Sequence, residues 1–261
     1  MKDVTKKTPF KILAFLLCVF GSFFLVCGAS LSAPVGNPAG PVLLDGNYPT
    51  KVTLEVESVF KRKLKSDYQN NPDFSGMFYT GKVSLYNGNK LDFYGLVGLY
   101  DGKVKNFINE RYIVVSRADI FYGAGISYVL HQLELLGGVL RLGADAKYRM
   151  FEPEIDSVKF YREKIETSHN STTFKEWQGS LGVAYQYKFF TPYVGAKYSD
   201  MDAQIQFTQG STSYLDKNLK SKDNWGLFYG IDVLLGDSVS FNIEGRNYDE
   251  KAVSAGLNVR F

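Results

Sequence analysis

The chain has 261 residues, with 30 Lys and Arg against 27 Asp and Glu, two Cys, 25 Gly and 15% aromatic residues. So even a balance of charge gives no reason to expect nucleic acid or an anionic surface as a partner. Two cysteines exclude a disulfide-dense scaffold, and the length suits one large β-domain.

Lys2, Lys6, Lys7 and Lys11 precede an apolar run from Ile12 to Val26, broken by Gly21 and Ser22. Small residues follow at Gly28, Ala29, Ser30, Ser32 and Ala33. A charged start, an apolar middle and a small-residue end predict a secretory signal peptide over 1–32. The run is shorter than the roughly 20 residues of a spanning helix. Bulky Leu17 and Val26 argue against lipidation at Cys18 and Cys27. Cleavage after Ser32 removes both cysteines and leaves no thiol chemistry. It also removes those four lysines and Asp3, so the exported chain is formally neutral. The expected organisation is a signal over 1–32, a periplasmic N-terminal segment over 33–50 and a β-barrel over 51–261.

Ten period-two runs follow, near 51–60, 75–87, 90–100, 119–130, 138–150, 174–188, 191–200, 223–235, 238–248 and 252–261. Short links at 87–89, 131–138, 189–190 and 236–238 alternate with longer polar ones at 61–74, 101–118, 151–173 and 201–222. A last short link spans 249–251. Alternation alone also fits a soluble sandwich or lipocalin-like barrel, whose apolar face is its core. Long loops gathered at one end favour a membrane barrel, with tight periplasmic turns and longer outer loops. The predicted fold is all-β, a transmembrane antiparallel β-barrel of about ten strands (roughly 8–12) in the cell outer membrane.

The faces of the runs agree with that reading. Over 138–150, Leu140, Leu142, Ala144, Ala146 and Tyr148 alternate with Arg141, Gly143, Asp145, Lys147 and Arg149. Over 223–235, Trp225, Leu227, Tyr229, Ile231, Val233 and Leu235 form an apolar file. Tyr128, Tyr148, Tyr187, Phe189, Tyr193 and Phe261 gather near run ends, as an interfacial aromatic girdle requires. The closing stretch SAGLNVRF alternates to its last residue, which predicts a final strand closing against the first. Phe261 is then expected to serve as an assembly signal.

Counting inward positions places Lys82, Arg141, Lys147, Arg149, Lys188, Lys197, Arg246 and Arg260 in the lumen with Glu55, Glu57, Asp92, Asp145, Asp232 and Glu244. The lumen is expected to be mixed and slightly basic. Inward Gly98, Gly123, Gly125, Gly143, Gly182, Gly195, Gly226, Gly230 and Gly256 are expected to leave space in it. Barrel width grows with strand number, and ten lies nearer the filled limit than the channel limit. No enzyme is expected, because the small outer-membrane barrels that act as proteases, acyltransferases or lipases need a His paired with a carboxylate or Ser at the rim. His131 falls in a presumed periplasmic turn, and His169 in an outer loop. No metal or cofactor site is expected; DMD (200–202) and EPEID (152–156) offer at most a weak surface Ca²⁺ site. Outer-membrane lipid and the barrel-assembly machinery are the expected partners, a homo-oligomer stays open, and no nucleic acid is expected.

Three stretches resemble the chlamydial major outer membrane protein family. APVGNPAGPVLLDG (33–46) is similar to its mature start. KEWQGSLGVAYQYKFFTPYVGAKYSDMDAQIQF (175–207) resembles its penultimate conserved block, and WGLFYGIDVLLGDSVSFNIEGRNYDEKAVSAGLNVRF (225–261) its carboxyl end. Weaker likeness runs through 91–102 and 123–148. The resemblance implies a porin that passes small hydrophilic solutes and contributes to envelope structure. A non-conducting structural or adhesive surface barrel is the alternative. This chain is shorter than that family and lacks its cross-linking cysteines outside the signal.

Overall fold

A computed structural model of the chain describes residues 49–66, 71–86, 90–107, 112–161, 163–165, 167–209 and 213–261. The expected signal peptide, and the N-terminal segment up to residue 48, lie outside the described residues. The strands in chain order are β1 (Thr50–Ser66), β2 (Asp73–Tyr86), β3 (Leu91–Phe107), β4 (Tyr112–Ser116), β5 (Asp119–Leu135), β6 (Gly138–Phe151) and β7 (Ile155–Phe160). They continue as β8 (Glu163–Ile165), β9 (Thr167–Gln186), β10 (Phe190–Gln209), β11 (Ser213–Ser221), β12 (Trp225–Leu234), β13 (Val239–Asn247) and β14 (Glu250–Arg260).

Ten of these close an antiparallel wall in the order β1, β2, β3, β5, β6, β9, β10, β12, β13, β14 and back to β1. The closing ladder runs from Lys51 opposite Arg260 to Arg62 opposite Glu250. It is extended by the Phe261 N–H, which donates to the Thr50 carbonyl at 2.9 Å. The predicted ten-stranded barrel is therefore the observed one.

The predicted outer loops differ from what is observed. Within 61–74, 101–118, 151–173 and 201–222, most described residues are paired strand. β9 and β10 run 20 residues each, and β11 flanks the upper part of β10 and the end of β1. β4, β7 and β8 extend the sheet from the end of β3. Polar composition marked these segments as loops, yet a polar strand is stable wherever its backbone groups pair. The short turn expected over 131–138 is tighter than predicted. Leu136 and Gly137, with φ of 51° and 75°, form a two-residue connection of the type favoured in hairpins. His131 consequently lies in β5 opposite Leu142, and not in a turn.

Side chains alternate cleanly across the wall. Outside, an apolar band is bounded by two aromatic rings. Tyr79, Tyr122, Tyr148, Trp177, Tyr198 and Trp225 form the ring nearer the long extensions, with Trp177–Tyr198 and Tyr198–Trp225 centroids 5.0 and 5.3 Å apart. Tyr86, Tyr128, Tyr187, Phe189, Phe190 and Phe261 stand near the short turns. On β9 the band runs from Trp177 to Tyr187. About ten residues at about 3.3 Å rise, tilted by about 40°, give a height of about 25 Å. Beyond it the outward file of β10 turns polar at Asp202, Gln204 and Gln206.

A β-bulge between Val59 and Arg62 changes which β1 residues face inward. Below it Thr53, Glu57 and Val59 are buried; above it Arg62 and Leu64 are. The bulge inserts one residue and shifts the alternation by one place.

Candidate functional site in the barrel interior

The interior is layered. Toward the outer end, Phe74, Phe78, Tyr100, Phe121, Phe151 and Phe174 pack as a buried aromatic cluster. Their ring centroids lie 4.6–6.1 Å apart in tilted, stacked and edge-on pairs. The Arg149 guanidinium sits 4.1 Å above the Phe78 ring and links this cluster to a network of ions.

In that network Arg62 pairs with Glu176, and its guanidinium also donates to the hydroxyls of Ser199 at 3.0 Å and Ser221 at 2.9 Å. Arg149 reaches Glu176 at 2.5 Å and Glu57 at 3.3 Å. Arg246 meets Glu57 at 3.2 Å, Glu244 at 3.6 Å and Glu250 at 3.3 Å. Lys197 pairs with Asp249 at 2.8 Å and with Glu250. β1 and β9 are diametrically opposite in the ten-stranded order, so the Arg62–Glu176 pair crosses the barrel. Each of these charged side chains is at most 2% exposed. Charges this dry require opposite charges close by, and the network provides them.

Toward the short turns the interior is polar and wetter. Tyr94 donates to Asp145 at 2.9 Å, and the Lys82 ammonium lies 4.9 Å from the Tyr94 ring centroid. Arg141 donates to Gln186 at 2.5 Å. Asn242 donates to Asp232 at 2.9 Å and to the Tyr193 hydroxyl at 2.7 Å, and Tyr193 in turn donates to Glu244 at 3.2 Å. Lys51 and Asp92, 3.6 Å apart, keep 24% and 23% of their side-chain surface exposed. Water therefore reaches the end with the short turns.

Of the residues expected in the lumen, Glu57, Arg141, Asp145, Lys147, Arg149, Lys197, Asp232, Glu244, Arg246 and Arg260 are buried on the inner face. Glu55, Lys82 and Asp92 lie on it and are half-buried. Lys188 is a correction. It occupies the β9–β10 turn with φ of 53°, exposed, its ammonium 5.3 Å from the Tyr187 ring centroid. The turn interrupts alternation one residue before the inward file would have included it. Lys51, Arg62, Glu176, Asp249 and Glu250 are inward charges that the counting missed. Glu176 shares a file with Gln178 and was within reach of the alternation. Arg62, Asp249 and Glu250 fell in segments read as links. With them included, and Lys188 excluded, inward cations and anions are equal in number among the described residues, not slightly basic.

The inward glycines also act differently from expectation. At Gly98, Gly125, Gly195 and Gly230 they leave space, but aromatic rings take it up. The Phe121 ring lies where a Gly98 Cβ would be, 2.6–2.7 Å from it, and Tyr193 covers Gly230 in the same way. At these four positions glycine permits close approach of a ring and does not open the lumen.

A closed antiparallel wall, an apolar outer band between aromatic rings and a charged interior define the class: a β-barrel of the outer-membrane type. Comparison agrees at the level of fold. The structure is similar to the outer membrane protease OmpT from Escherichia coli, with a TM-score of 0.50 and 9% identity, covering 86% of this chain and 100% of that one. At that identity the likeness speaks for the fold and not for proteolysis. The outer membrane protein OprG from Pseudomonas aeruginosa gives a TM-score of 0.40 and 10% identity, covering 82% and 96%. In sequence, the chain is 23% identical over 134 residues to the major outer membrane porin, serovar F, of Chlamydia trachomatis. That match covers 36% of this chain and 34% of the porin, so the chain spans about a third of the curated relative's length. No protein-family model matches the chain. His131 is exposed on β5, and the described residues contain no group of three His, Cys, Asp or Glu placed to hold a metal ion.

The lipid-facing band carries a direct prediction. Leu181, 53% exposed on the outside of β9, lies midway between Trp177 and Tyr185. Leu181→Arg is expected to cost about 2–4 kcal/mol in bilayer folding titrations, the cost of a cation at the midplane. Gln204→Arg, above the band on β10, is expected to leave folding unchanged. Equal effects of the two would place the band wrongly.

Proposed function

We propose that the chain is an outer-membrane barrel of the chlamydial porin type that serves envelope structure with its lumen closed to solute. The observation supporting this is the dryness of the cross-barrel ion network. A lumen open from end to end would wet Glu57, Arg62, Arg149 and Arg246, whose side chains are at most 1% exposed. The residues nearer the short turns line a vestibule that faces the periplasm and ends at the network. The chain reaches this location by signal-directed export and insertion through the barrel-assembly machinery.

The likeness to a protein named as a porin favours a second reading, passive diffusion of small hydrophilic solutes through the same interior. Planar-bilayer recording of the purified, refolded chain separates the two. The closed-lumen reading expects no discrete conductance steps in molar salt. Regular steps at low voltage would sink it and favour diffusion.

A further inference from the structure

Six lysines collect on the outward face just beyond the outer aromatic ring. Past the bulge, the outward file of β1 becomes Lys61, Lys63 and Lys65, all exposed. Lys251 on β14 stands directly opposite Lys61, and Lys220 on β11 directly opposite Lys65. The Lys222 backbone N–H donates to the Lys63 carbonyl at 3.0 Å, which brings a sixth lysine to the group. Like charges directly opposite each other across an antiparallel pair are destabilising. Two carboxylates answer them, Asp73 at 2.9 Å from Lys61 and Asp202 at 3.7 Å from Lys220. A cationic excess remains over both. The formal neutrality of the exported chain conceals it, because exposed carboxylates such as Glu134, Glu152, Glu154 and Asp156 stand elsewhere on the surface.

The position of the patch identifies its ligand. Phe60 precedes Lys61, Trp225 follows Lys222 closely, and Tyr248 comes just before Lys251. These rings are 44%, 69% and 76% exposed on the outer surface. Such rings mark the boundary between acyl chains and headgroups. Lysines immediately beyond it extend their apolar stems along the wall and hold their ammonium groups at headgroup level.

We propose that Lys61, Lys63, Lys65, Lys220, Lys222 and Lys251 bind the phosphate groups of a phosphorylated lipid in the outer leaflet, its acyl chains lying against Phe60 and the neighbouring apolar wall. The site rests on the outer-membrane reading of the barrel. A membrane lipid is favoured over a soluble phosphate because the lysines adjoin the apolar band, where a lipid is held by both its ends.

The full chain is refolded into phosphatidylcholine nanodiscs containing trace diphosphoryl lipid A, and lipid retained on release is counted by native mass spectrometry. The wild type is expected to retain lipid A over phosphatidylcholine. The triple variant Lys63→Gln, Lys222→Gln, Lys251→Gln is expected to bind it on the order of a hundredfold more weakly. Arginine at the same positions restores retention, and millimolar inorganic phosphate does not displace the lipid. Undiminished retention by the glutamine variant, or ready displacement by phosphate, would overturn the site. Heat-modifiable migration in the same nanodiscs is read separately. Failure of the wild type to insert overturns the membrane reading, whereas insertion without lipid A preference overturns the site alone.

Discussion

Deleting Asn258–Phe261 is expected to abolish bilayer insertion. These residues pair with Thr50–Thr53 on one side and with Val239–Ser240 on the other. Removing them opens the wall at the level of the apolar band, where each orphaned N–H or C=O costs several kcal/mol because lipid provides no partner. Refolding into lipid vesicles, followed by heat-modifiable migration on gels, is the measurement. Insertion at wild-type yield would contradict the β1–β14 closure. Phe261→Ala keeps the backbone pairing and is expected to insert normally in vitro. If Phe261 acts as an assembly signal, the same variant lowers outer-membrane yield in cells.

The second large effect is expected inside. Glu176→Ala removes the carboxylate that joins Arg62 to Arg149 across the barrel. Both guanidinium groups stay buried with fewer counter-charges. Breaking a buried network in this way costs about 3–5 kcal/mol, because an uncompensated charge in a dry site is worse than no charge. The midpoint of thermal unfolding in detergent should fall well below that of Glu134→Ala, which removes an exposed carboxylate from β5. Equal midpoints would mean that water already screens the interior. Under the closed-lumen reading Glu176→Ala also raises bilayer conductance, since it removes a strut that spans the lumen.

Much of the wall was legible in the residues themselves. The files Leu140, Leu142, Ala144, Ala146, Tyr148 and Trp225, Leu227, Tyr229, Ile231, Val233 are local patterns, and the outward face they specify is the one observed. Two kinds of feature escaped. Strands such as the upper halves of β9 and β10 are polar on their outward face, so composition disguised them as loops. The bulge on β1 depends on pairing with β2 and β14 together, and no pattern within 57–65 announces it.

By itself, the sequence determined the all-β class, the wall strands, the side that meets lipid and the charged character of the interior, because period-two alternation is a property of neighbours in the chain. Only the tertiary structure decided which charges meet. Arg62 finds Glu176, and Lys61 faces Lys251, through closure of the wall and the one-residue shift of the bulge. Whether a charge is paired and dry or displayed to headgroups depends on distances across the barrel, which chain-neighbour patterns do not encode.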